Sequence, residues 1–140
     1  MHTTKIRIII IDDHELVRNS WKVLLENDPR LSVIADFDNG PVAIRQMGAL
    51  QPDIILVDIN MSPLTGFEIA KQLLQQNPIL KVIGLSVNNQ PVYATRMLTI
   101  GAKGYLTKTS PFDEILHGII EVYHGNEYIC EEIKRNMPRI

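Results

Sequence analysis

Five side chains in this sequence have the types and positions to do chemistry together. Asp12 and Asp13 follow a run of isoleucines in "IIIIDD", and Asp58 closes "DIILVD". Ser86 closes "KVIGLS" and Lys108 closes "GYLTK". Each stands at the carboxyl end of an apolar, strand-like run. Carboxylates held together repel: two charges about 5 Å apart at an effective dielectric of about 20 cost about 3 kcal/mol. A hard divalent cation removes that cost, and oxygen ligands favour Mg²⁺, which takes one or two carboxylates with waters and a phosphate. An ammonium and a hydroxyl suit phosphoryl oxygens. A carboxylate nucleophile, a metal and two electrophilic helpers make a phosphoryl-transfer set, in which positioning and charge neutralisation do most of the catalysis.

Taken singly, each residue has an ordinary reading. Asp13 caps the helix that follows it, Asp58 caps a turn, Ser86 carries no signal, and Lys108 is a surface lysine. Their joint placement at four strand ends is what the ordinary readings leave unexplained. His2, His14, His117 and His124 have no partners at metal-ligand spacing and read as surface or packing residues. Met61, Met97 and Met137 need only packing.

The elements that must position this set alternate along the chain. Ile6–Ile11 is a continuous β-branched run, as expected for a strand buried on both faces. His14–Glu26 has helical spacing, with Val17, Trp21, Leu24 and Leu25 on one stripe. Strands are expected at Leu31–Asp36, Asp53–Asp58, Lys81–Ser86 and Gly104–Lys108. Helices are expected at Pro41–Leu50, Gly66–Gln76, Pro91–Ile100 and Phe112–Tyr123, with Gly101 and Gly125 closing the last two. Asn126–Ile140 reads as a polar tail with one weak turn near Glu131–Arg135. Five strands alternating with five helices imply βαβ units and a parallel sheet covered on both faces. Right-handed crossovers favour a doubly wound α/β sheet in the order 2-1-3-4-5, with ligands beyond the carboxyl ends of the strands near the switch between strands 1 and 3. That topology brings Asp12, Asp13, Asp58, Ser86 and Lys108 to one rim.

Composition agrees with a single globular unit. The 140 residues are 45% apolar with a formal charge of −2, enough to bury a core without staples. A slightly acidic chain with no recognition-helix pattern is not expected to bind DNA by itself. Cys130 is the only cysteine, which suits a reducing cytosol, and no apolar run approaches a membrane span.

The quoted residues resemble the receiver domain of bacterial two-component response regulators. The likeness covers about residues 5 to 125 and rests on "IIDDHELVR", "PDIILVDINMSPLTGFE", "VIGLSV" and "GAKGYLTK". Gly66 follows Asp58 by eight residues, and Ser86, Tyr105 and Lys108 are spaced by nineteen and three, as in that family. "DDH" and "GAKGYLTK" are most similar to the NarL/FixJ (LuxR-type) members, which usually carry a helix-turn-helix domain after the receiver.

The resemblance implies a flavodoxin-like (CheY-like) (βα)5 receiver over residues 1–125. Residues 126–140 would be a tail, or the start of a linker to an output domain absent from this chain. It implies that Asp58 takes a phosphoryl group from the phosphohistidine of a sensor kinase or phosphotransfer protein. Asp12, Asp13, Asp58 and the backbone carbonyl of Asn60 would hold Mg²⁺, with Mn²⁺ able to substitute, while Ser86 and Lys108 bind phosphoryl oxygens. Ser86 moving to the phosphate would let Tyr105 turn inward and reshape the face of the fourth helix, fifth strand and fifth helix, where a homodimer is expected. Asn60 and Val87 would modulate access. Such a protein is a switch with self-phosphorylation and autodephosphorylation only, not a classical enzyme. Three positions depart from the family: Pro63 stands one residue late, Val87 replaces a small residue, and Thr109 replaces a proline. Two alternatives stay open, a receiver used purely as an interaction module and a haloacid-dehalogenase-type phosphatase. The latter places its nucleophile on the first strand in an Asp-x-Asp pattern, which adjacent Asp12 and Asp13 do not match.

Overall fold

A computed structural model describes residues 4–138, so His2 and the last two residues of the expected tail lie outside the described residues. The chain runs β1 (Ile6–Ile11), α1 (Glu15–Glu26), β2 (Leu31–Phe37), α2 (Gly40–Leu50), β3 (Ile54–Asp58) and α3 (Gly66–Gln76). It continues through β4 (Val82–Ser86), α4 (Pro91–Ile100), β5 (Gly104–Thr107), α5 (Phe112–Tyr123), β6 (Tyr128–Ile129) and α6 (Glu131–Arg135). The sheet is parallel throughout in the order β2-β1-β3-β4-β5-β6. The core of the expected order is present, but the sheet has six strands rather than five. None of the described helices is long and apolar enough to cross a membrane.

The continuous apolar runs become central strands because both faces of a parallel sheet are covered. Ile8–Ile11 and Ile54–Val57 are fully buried, with exposures of 1% or less. On α1 the apolar stripe is narrower than its spacing suggests: Trp21 and Leu25 are buried, whereas Leu24 is exposed. Helix α3 starts on a capping box, in which Thr65 and Glu68 satisfy each other's backbone N–H.

The segment expected to be a tail is docked on the domain. Tyr128 N–H donates to the Lys103 carbonyl and Cys130 N–H to that of Tyr105, each at 3.0 Å, which adds β6 to the edge of β5. Cys130 and Ile133 are fully buried. The Glu114 carboxylate accepts from the Tyr128 hydroxyl at 2.7 Å and from the Glu131 N–H at 2.8 Å, fastening β6 and the start of α6 to α5. Gly118 leaves room for the Tyr128 ring, since a Cβ there would lie 2.8 Å from it.

Helix α5 lies across the sheet from α4. Cβ atoms on Gly104 and Gly118 would meet Val122 and Leu106, whereas one on Gly84 would meet Tyr105 and Met97 of α4. The β4-α4-β5 and β5-α5-β6 crossovers step the same way along the sheet with their helices on opposite faces, so their hands are opposite. Helices α2, α3 and α4 pack side by side, which makes the last crossover the left-handed one, against a right-handed preference of about 98%. The handedness rule therefore gave no reason to expect β6.

Gly66 fixes how closely α3 approaches the site. A Cβ on this residue would lie 2.2 Å from the Asp58 carbonyl oxygen and 2.4 Å from the Ile59 Cα, both backbone atoms that cannot step aside. Gly66→Ala is expected to lower stability by at least ~2 kcal/mol, the range for overpacking a well-packed interior. Urea unfolding should show this as a lower midpoint at unchanged slope.

Candidate functional site

The carboxyl ends of β1, β3, β4 and β5 meet at one rim, as the topology requires. Asp12 and Asp58 are each 1% exposed, and Ser86 and Thr107 are fully buried. The Lys108 ammonium donates to Asp12 Oδ2 at 2.6 Å and to Asp58 Oδ2 at 2.9 Å. One buried cation thus bridges carboxylates from the first and third strands. The Lys108 backbone N–H donates to the Ser86 carbonyl at 2.8 Å, tying the ends of β4 and β5 together.

The turn geometry accounts for the remaining carboxylate oxygens. Asp12 Oδ1 accepts from the His14 N–H at 2.8 Å, and Asp58 Oδ1 accepts from the Asn60 N–H at 2.9 Å. His14, not Asp13, is the N-cap residue of α1. The capping role that Asp13 could have taken is therefore not its own, and its carboxylate stays at the mouth, about one-third exposed. Asn60 is exposed beside it.

Charges at the rim shift one another. Burial pushes the Asp12 carboxyl up, but hydrogen bonds from Lys108 and from the His14 N–H outweigh it and hold the group below its ordinary value. At Asp58 burial prevails over the same kinds of bond, and the carboxyl is raised. Burial would lower Lys108, yet its bonds to Asp12 and Asp58 hold it above its usual value. Asp12 therefore stabilises the fold above the ordinary aspartate range and loses that contribution as pH falls through its depressed value. Asp58 acts with the opposite sign, its burial costing stability once pH rises past that range.

The residue types also fit a metal. Oxygen atoms of Asp12, Asp13 and Asp58 and a ring nitrogen of His14 all lie within 4.8 Å of one another. A set dominated by hard carboxylate oxygens suits Mg²⁺ or Mn²⁺. His14 is the correction here. Read from sequence as a surface or packing residue, it remains exposed, but its Nδ1 lies 3.1 Å from Asp12, 3.3 Å from Asp13 and 3.4 Å from Asp58. The sequence reading also missed Arg18, whose guanidinium donates to the Asp12 carbonyl at 2.7 Å and to Asp36 at 2.8 Å. Its place one helical turn after His14 is the only signal the sequence offers.

Ser86 and Tyr105 sit just below. Ser86 Oγ accepts from the Asn88 N–H at 2.9 Å. Tyr105 is fully buried with its ring already turned inward, against the face of Gly84 and Met97. Its hydroxyl has no hydrogen-bond partner among the described residues. Burial pushes its pKa up to about 12, with the nearby Ser86 hydroxyl opposing the shift. Val87, next along, is two-thirds exposed, so it is not packed into the core against α4.

Comparisons with known proteins converge on one family. The response regulator receiver domain model matches residues 8–120. The chain is 36% identical over 137 residues to the transcriptional regulatory protein DegU of Brevibacillus brevis, covering 98% of this chain and 58% of that protein. It is 33% identical over 132 residues to the response regulator GacA of Pseudomonas viridiflava, covering 94% and 62%. The chain thus spans about three-fifths of the length of these curated relatives. A LuxR-family two-component response regulator from Aurantimonas sp. SI85-9A1 superposes with a TM-score of 0.91 at 25% identity, over 95% of both chains.

The bridge made by Lys108 generates a stability prediction. Lys108→Met leaves two buried carboxylates without their cation and is expected to cost about 2–4 kcal/mol, near the low end for breaking a buried ion pair. The deficit should shrink as pH falls and Asp12 and Asp58 take up protons. Urea unfolding at neutral and acidic pH measures both.

Proposed function

This chain belongs to the response regulator receiver domain family, and from that premise we propose that Asp58 accepts a phosphoryl group from a phosphohistidine on a sensor kinase or phosphotransfer protein. The observation that carries this reading is the buried Lys108 bridge between Asp58 and Asp12, beside an Asp13 carboxylate left free of capping. It gathers nucleophile, charge compensation and metal-ligand oxygens at one strand-end rim.

In the proposed step an Asp58 oxygen attacks phosphorus, the phosphorus–nitrogen bond breaks, and the imidazole leaves with the electron pair. Burial makes the Asp58 carboxylate more basic than an exposed one, which favours it as nucleophile. Asp12, Asp13, Asp58 and the Asn60 backbone carbonyl would hold a divalent cation, which would supply charge neutralisation for the phosphoryl oxygens. Lys108 is already aimed at Asp58 and follows the charge as it passes to the phosphoryl group. Ser86 offers its hydroxyl proton to another phosphoryl oxygen. The Asn60 N–H keeps the Asp58 carboxylate oriented through the reaction.

Because Tyr105 already lies inward, the movement left to phosphorylation is that of Ser86 and the loop behind it. That movement reaches the face of α4, β5 and α5, where self-association is proposed. In a longer protein of the kind named among the relatives, the output would be control of transcription in the cytosol by a separate DNA-binding domain. The family match displaces the phosphatase alternative, and the complete rim set argues against a purely degenerate receiver.

Treatment with acetyl phosphate and Mg²⁺ should add one phosphoryl group to the wild-type chain and none to Asp58→Asn, read by intact-protein mass spectrometry. Full labelling of the variant would remove Asp58 as acceptor. Val87 stands at the rim directly after Ser86, where a stiff β-branched side chain narrows in-line approach. Val87→Ala should speed both labelling and hydrolysis by ~2–10-fold, the equivalent of about 1 kcal/mol on each barrier. Unchanged rates in that variant would remove Val87 from the access path.

A further inference from the structure

Helix α6 is tied to the loops behind both phosphoryl-binding residues through a single carboxylate. Glu132 Oε1 accepts from the Thr107 hydroxyl at 3.0 Å and from the Thr109 hydroxyl at 3.5 Å, the residues on either side of Lys108. Glu132 Oε2 accepts from the Asn89 side-chain amide at 3.1 Å, three residues after Ser86. Asn136 Nδ2 doubles this hold by donating to the Asn89 carbonyl at 3.1 Å. All the residues of the 87–90 loop are exposed, and these bonds tie the loop to α6.

The loop's anchor at its other end is Ser86 itself, whose Oγ accepts from the Asn88 N–H. A Ser86 hydroxyl that turns toward a phosphoryl oxygen carries that acceptor away from Asn88, and Asn89 is the next residue along. The chain Ser86–Asn88–Asn89–Glu132 is thus a continuous set of hydrogen bonds and one peptide link from the rim to α6.

We propose that α6 is a latch held by Glu132 and Asn136, and that filling the Asp58 site loosens it by withdrawing Asn89. This rests on the phosphoacceptor reading above. The latch holds one small helix whose buried anchors are Cys130 and Ile133, so the expected change is easier local opening of α6 rather than its detachment. Local opening of this kind is read by amide exchange.

The test uses the whole chain with Mg²⁺ and beryllofluoride, following fluoride uptake by ¹⁹F NMR and amide exchange of residues 131–137 by mass spectrometry. Uptake with exchange about 3–10-fold faster in α6 supports the latch, the scale expected for losing one or two hydrogen bonds. Uptake with exchange unchanged or slowed overturns it while leaving the phosphoacceptor reading intact. No uptake overturns that reading and the latch with it. Asn89→Ala removes the side-chain bond to Glu132 but keeps the carbonyl that Asn136 holds, so α6 should exchange faster before any beryllofluoride is added and gain less from its addition than the wild type does. Glu132→Gln should behave in the same direction. An Asn89→Ala chain that exchanges like wild type in α6 overturns the latch as well.

Discussion

Two carboxylates buried at the end of a parallel sheet, with one ammonium between them, set the terms for the rest of this molecule. Neither Asp12 nor Asp58 could stay charged there alone, because an uncompensated buried charge costs several kcal/mol. Lys108 makes both tolerable, and it does so from the far end of the chain, 96 residues from Asp12. The bridge is therefore a tertiary interaction that spans the sheet from β1 to β5. It also leaves the site electrically unfinished, with Asp13 and His14 at the mouth. Carboxylate oxygens of Asp12, Asp13 and Asp58 lie close together there, a donor set that suits a hard divalent cation.

Everything that holds the bridge in place is rigid. The isoleucines of β1 and the apolar run of β3 are fully buried, so the two strand ends that carry Asp12 and Asp58 cannot drift apart without opening the core. Gly66 lets α3 press against the backbone of Asp58 itself. Arg18 holds the Asp12 carbonyl from α1. The parts around the rim that are less enclosed are different in kind: the exposed 87–90 loop, the exposed Asn60 and the small helix α6. A buried acid pair with exposed, hydrogen-bonded loops around it lets a local change of charge at the rim bear on the contacts of those loops.

Much of this was legible from residue types alone. Continuous β-branched runs have one good solution, a strand covered on both faces, and alternating strands and helices have few topologies. Chain order plus those rules brings Asp12, Asp13, Asp58, Ser86 and Lys108 to one rim before any coordinate is known. The bounds of α3, α4 and α5 were legible for the same reason, since each begins and ends at residues with defined backbone preferences.

What only the tertiary structure decided has a common cause: contacts too short, or too far apart in sequence, to leave a periodic trace. Strand β6 is two residues long and joins by a left-handed crossover, so neither pattern nor topology rule announces it. Glu114 and Gly118 gain their roles only once Tyr128 is laid against them. His14 looked like a lone surface imidazole because its partners are one neighbour and two strand ends, not residues at ligand spacing. The bond from Asn89 to Glu132 links residues 43 apart on two short segments. Sequence fixes which side chains can do chemistry when their backbone positions follow from hydrophobic pattern. Which polar side chains meet across the surface depends on packing that no local pattern encodes.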